Sequence, residues 1–78
     1  MSSYYLEFIL NTHNNNAEFI RNSLAEFDEH LEVVQLSKNE TEKGEYFKIN
    51  ISTLDPASIF DACAQFGRIK SVKIEERS

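Results

Sequence analysis

The sequence predicts an α+β fold: four antiparallel strands forming one sheet, with two helices packed on one of its faces. Three observations carry this. Four separate segments rich in aromatic and β-branched residues read as strands, and one of them, YFKINIS, alternates cleanly between apolar and polar residues. Two segments between them carry apolar residues at helical spacing behind capping residues. No Gly-rich or Pro-rich linker divides the chain, and its 78 residues suit a single domain spanning 1–78.

The first segment, YYLEFILN at 4–11, reads as a strand. Tyr4, Leu6, Phe8 and Leu10 point to one side, while Tyr5, Glu7 and Ile9 point to the other. A polar loop, NTHNNN at 11–16, follows and opens a helix over about 15–29. Asn15 and Glu18 have the spacing of a capping box. Ile20, Leu24 and Phe27, with Phe19 and Leu31 beside them, form its apolar stripe. Glu26, Asp28, Glu29 and Glu32 gather near its C-terminal end, where negative charge is locally unfavourable.

The second strand is LEVVQLS at 31–37. KNETEKGE at 38–45 lacks any apolar residue and contains Gly44, so it reads as an exposed hairpin connection. In the third strand, YFKINIS at 46–52, Phe47, Ile49 and Ile51 face the core, and Tyr46, Lys48 and Asn50 face away. Asp55 and Pro56 start the second helix, since Asp caps free amides and Pro fits the first turn. Ile59, Phe60, Cys63 and Phe66 line its buried side. Gly67 is placed to end it in a left-handed conformation. The last strand, RIKSVKIEE, turns Val72 and Ile74 inward to complete the core. Together these elements spell the ferredoxin-like split βαβ arrangement, with the first and third strands in the middle of the sheet.

Composition narrows the function. The 13 acidic and 8 basic side chains give a net charge of −5, which argues against non-specific nucleic-acid binding. The single cysteine has no internal disulfide partner. The N-terminal apolar run is broken by Glu7 and lacks a basic leader, and no stretch is long enough to span a bilayer, so a cytoplasmic protein away from membranes is expected. His13 and His30 have no neighbouring Cys or His at metal-ligand spacing. Phosphate loops, nucleophile elbows and zinc signatures are absent, so neither an enzyme nor a cofactor is expected.

Two resemblances bear on function. KINISTLDPASIFDACAQFGRIKSVKIEE resembles the first strand, helix and second strand of an RNA-recognition motif. Such domains stack single-stranded RNA on an open sheet face, and read in register from this chain's first strand that face carries Tyr5 and Tyr46, with Lys48 and Lys73 adding charge. Over nearly its whole length, and in EVVQLSKNETEKGEYFKINIS and IKSVKIEE, the chain resembles the small regulatory ACT-like domains. That likeness implies pairing into larger sheets and sensing of a small ligand.

The expected function is accordingly a small regulatory module that self-associates as a homodimer, or docks on another protein, and takes a small anionic metabolite. Tyr5, Ile9, Tyr46 and Lys48 on the open sheet face are the expected contact surface. Thr12, His13, Asn14 and Asn15, between a strand end and a helix N-terminus, are the expected ligand site, because free backbone amides there favour an anion. Single-stranded RNA on the sheet face is the alternative.

Overall fold

A computed structural model of the protein describes residues 3–28, 30–37 and 43–77. Six elements follow one another: β1 (Ser3–Thr12), α1 (Ala17–Leu24), β2 (Glu32–Leu36), β3 (Glu45–Thr53), α2 (Pro56–Ala64) and β4 (Arg68–Arg77). The strands form one sheet in the order β2-β3-β1-β4, and every pairing is antiparallel. This is the ferredoxin-like α+β fold, with the first and third strands central as the sequence predicts.

The alternation read from the sequence sets the core. Leu6, Phe8 and Leu10 of β1 and Phe47, Ile49 and Ile51 of β3 are all buried on one sheet face. Ile20 and Leu24 of α1 and Ile59 and Cys63 of α2 meet them there, and Val33 closes the β2 side. Each such side chain contributes roughly 1.5–3 kcal/mol through removal from water. Phe60 lies edge-on to Phe8 with ring centroids 5.5 Å apart, which seats α2 over β1.

Both helix starts are capped by side chains. Asp55 accepts from the Ser58 amide and, at 2.7 Å, from the Ser58 hydroxyl; that hydroxyl bond is the largest cause holding its carboxyl below the usual aspartate range. The first helix departs from expectation. Its cap is Asn16, whose Oδ1 accepts from the Phe19 amide at 2.8 Å, rather than Asn15. The helix also stops at Leu24, short of residue 29. Ala25 ends it, and the Phe27 amide turns back to the Leu24 carbonyl. Asp28 explains the stop, because its carboxylate accepts from the His30 amide and reaches across to the Ser52 amide of β3. Phe27 and Phe19, read as core-facing, are therefore exposed at 37% and 46%, although Phe19 still stacks edge-on against Phe66. Glu29 of the acidic cluster and residues 38–42 of the hairpin connection lie outside the described residues. Gly44 has the positive φ of 79° that its turn role requires.

The largest corrections fall on β4. Gly67 is not left-handed; it is a glycine because a Cβ there would lie 1.9 Å from the Asn11 carbonyl oxygen. The left-handed residue is Ser71, at φ 54°. Between Glu7↔Lys73 and Ile9↔Lys70 the register shifts, so that Ser71 and Val72 together oppose Phe8. This is a β-bulge. It keeps Ile69 on the core side and, three residues later, turns Val72 and Ile74 to that same side opposite Leu6. They do not complete the core, however, for they are exposed at 45% and 53%. They lie on the edge strand, one place outward from fully buried Phe8 and Leu6.

Two substitutions separate these glycine-like roles. Gly67→Ala should cost about 3 kcal/mol or more, since backbone rather than a mobile side chain blocks the methyl group. Ser71→Gly should raise stability by about 0.5–1 kcal/mol by relieving the left-handed strain. Urea denaturation of both variants checks the pair, and a harmless Gly67→Ala would contradict the close approach.

Candidate functional site

The outward residues of the sheet make a continuous surface. Tyr5, Glu7 and Ile9 lie on β1, opposite Ser52, Asn50 and Lys48 of β3 respectively. Glu7 sits at the centre, with Lys48 at 3.4 Å on one side and Lys73 at 3.6 Å on the other. At one end Lys70 reaches across β1 to stand 5.3 Å from the Tyr46 ring centroid. At the other, the Arg77 guanidinium lies 4.8 Å from the Tyr5 ring centroid. Both cation–ring contacts are attractive, since the faces of tyrosine rings are electron-rich.

Two open cavities occur on this surface. One of about 420 Å³ is lined by Tyr5, Glu7, Lys73, Ile74 and Glu75. The other, about 240 Å³, is lined by Glu7, Phe8, Ile9, Lys48, Ser71 and Lys73. The bulge thus opens a hollow beside the Glu7 ion pairs. Asn50, between Glu7 of β1 and Glu32 of β2, has a buried Oδ1 with no donor.

The surface is charged against the rest of the chain. Lys48, Lys70, Lys73 and Arg77 point to it, and Arg68 joins them because it alternates with core-packed Ile69. Among the described residues five basic side chains are therefore here, facing Glu7, Glu32 and Glu75, while the whole chain carries −5. The positions named from sequence, Tyr5, Ile9, Tyr46 and Lys48, all fall on this face. Lys70 and Arg77 were not legible as its partners, because regular alternation along β4 cannot place both sides of the bulge at once.

The loop before α1 is arranged differently. Thr12 is fully buried, and its hydroxyl accepts from Asn15 Nδ2 at 3.1 Å. The same Asn15 group also approaches the Phe66 carbonyl at 3.4 Å, joining the loop to the end of α2. His13 and Asn14 are exposed. Asn11 is buried and donates to the carbonyls of Lys43 and Glu45, which fastens the β2–β3 connection to β1. The polar run from Asn11 to Asn16 therefore ties the chain together as donors, acceptors and a cap.

Other reactive groups offer less. Cys63 is buried, and desolvation pushes its thiol up to about 12, so it stays protonated and unreactive at neutral pH. Among the described residues no group of three or more His, Cys, Asp or Glu side chains comes together to hold a metal. Among them, too, no helix is long and apolar enough to cross a membrane.

Removing the Asn15 amide tests the loop's structural task. Asn15→Ala should lower stability by about 1 kcal/mol, because it leaves the buried Thr12 hydroxyl without its donor. Thermal unfolding measures the loss, and an unchanged midpoint would show that the loop does not depend on this bond. Comparisons with protein-family models, curated proteins and solved structures find no match for the chain.

Proposed function

We propose that this protein is a non-enzymatic interaction module that self-associates by extending its sheet at β4. One observation supports the reading above the others. β4 is a ten-residue edge strand with every residue but Ile69 exposed, and it carries Val72 and Ile74 on the core side at 45% and 53% exposure. Unpaired backbone groups beside uncovered aliphatic side chains are what a further strand binds. Leu54, exposed at 62%, lies one residue beyond the Thr53–Tyr4–Glu76 level of the sheet and adds apolar surface at the same end.

A small anionic metabolite at Thr12, His13, Asn14 and Asn15 has less support. Two of those four side chains are already bonded to each other. Sedimentation velocity across the micromolar range tests the module directly. The expected result is a species of twice the 9.0 kDa chain mass that dissociates on dilution. A 9.0 kDa particle persisting at high micromolar concentration would overturn self-association.

A second reading, single-stranded RNA on the open face, is supported by the five basic residues and two tyrosines gathered there. Geometry limits it. Tyr5 pairs with Ser52 and Tyr46 with Asn11, six residues apart along β1. That is about 20 Å at strand spacing, too far for the two rings to stack neighbouring bases. Glu7 occupies the centre between them. If RNA binds, fluorescence anisotropy with a short labelled oligonucleotide should show affinity that falls with added salt and with Tyr46→Ala. No binding at low salt ends this reading.

A further inference from the structure

We infer that the occupant of the β4 edge is the β4 strand of a second copy, antiparallel about a twofold axis centred on Ile74. The inference rests on the self-association proposed above and specifies its register. It follows from the charge order along the strand beyond the bulge. Lys73 and Arg77 point to the open face through their contacts with Glu7 and Tyr5, and Glu75 joins them by alternation and by its 3.6 Å ion pair with Arg77 of its own chain. Val72, Ile74 and Glu76 point to the core side, in line with Leu6 and Tyr4.

Two identical antiparallel strands can meet only in registers that keep like faces together, so the axis must pass through a residue of this segment. An axis at Lys73 sets Lys73 against its own copy. An axis at Glu75 sets Glu75 against its copy and Lys73 against Arg77. With the axis at Ile74, Lys73 of each chain opposes Glu75 of the other, twice, and Ile74 opposes Ile74. Directly opposed unlike charges stabilise a sheet and like charges destabilise it. Within the straight stretch from Val72 to Arg77, the Ile74 register is the one that pairs every central charge with its opposite.

The pairing also fits the surrounding sheet. Lys73 already lies 3.6 Å from Glu7, so the row across the joined sheets runs Glu7, Lys73, Glu75 of the second copy, with signs alternating. On the opposite face the two Ile74 side chains cover one another, removing from water the apolar surface that α2 leaves bare. The bulge at Ser71 and Val72 confines straight pairing to the C-terminal part of β4. Bulges and edge lysines both discourage indiscriminate strand addition. The partner they admit is one whose charges run in the complementary order, as a second β4 does.

Two charge-reversal variants test the register. Lys73→Glu makes both central positions acidic and Glu75→Lys makes both basic. Each alone should dimerise at least about tenfold more weakly than the native chain, whereas an equimolar mixture should recover a heterodimer. Sedimentation of each variant and of the mixture, with circular dichroism as the check on folding, reads this out. Independently, Ile74→Cys should form an intermolecular disulfide under mild oxidation and Val72→Cys should not; buried Cys63 does not compete. A native chain that stays monomeric overturns the underlying self-association as well. A native dimer that survives in both reversal variants, without Ile74→Cys cross-linking, overturns this register alone.

Discussion

Helices of eight and nine residues rise about 12 and 14 Å, whereas a ten-residue strand extends about 33 Å. Two such helices cannot roof the sheet beneath them, and this shortfall shapes the molecule. The chain is elongated, 44 × 22 × 19 Å, because the sheet runs past its helical cover. Where the helices lie, the core is dry: Leu6, Phe8, Leu10, Ile49, Ile51 and Ile59 are fully buried. One strand further out, on the β4 edge and level with Phe8 and Leu6, aliphatic side chains of the same pattern stand in water, at Val72 and Ile74. The same alternation thus yields core on the central strands and exposed apolar surface on the β4 edge.

The bulge in β4 reconciles two demands that regular pairing could not meet together. Ile69 must face the core at the start of the strand, and Lys73 must face the open side to meet Glu7. The four-residue interval between them would put both on the same face in a strict two-residue repeat. Inserting one residue, with Ser71 left-handed, returns each to its proper side. The consequence reaches the open face, where Lys70 attends Tyr46 before the bulge and Arg77 attends Tyr5 after it. A single backbone irregularity therefore distributes the basic residues along the whole surface. It also explains how a chain with a charge of −5 presents a face richer in cations than in carboxylates.

Much of the fold was legible because local patterns and global packing agree along most of the chain. The alternation of β1 and β3, the Asp55–Pro56 helix start and the turn at Gly44 all needed only neighbouring residues to decide them. What escaped depended on contacts distant in sequence. Asp28 ends the first helix region through Ser52, 24 residues away, so helical spacing carried the expected helix through Phe27. Gly67 answers to the Asn11 carbonyl across the sheet, although its place after a helix suggests a left-handed stop. One signal for the bulge was present: Ile69 and Val72 stand an odd number of positions apart, which no regular strand can turn to one face. The candidate surface was legible in part, as Tyr5, Ile9, Tyr46 and Lys48 share the open face, but its β4 residues depended on that bulge.

The open face and the β4 edge differ in what they can recognise. The open face is broad, but its central charges are satisfied within the chain, Glu7 being held between Lys48 and Lys73. A ligand there must compete with those pairs or accept them as they stand. Among the described residues the β4 edge has no neighbouring strand for its outward backbone groups, and an unpaired amide or carbonyl hydrogen-bonds a new strand without regard to its sequence. Selection must then come from the side chains that flank the edge. Val72 and Ile74 favour an apolar neighbour on one face, and Lys73 followed by Glu75 favours the opposite order of charge on the other. In the proposed pairing an antiparallel copy centred on Ile74 meets both requirements. It sets Lys73 against Glu75 twice and Ile74 against Ile74, so the segment from Lys73 to Glu75 carries its own complement.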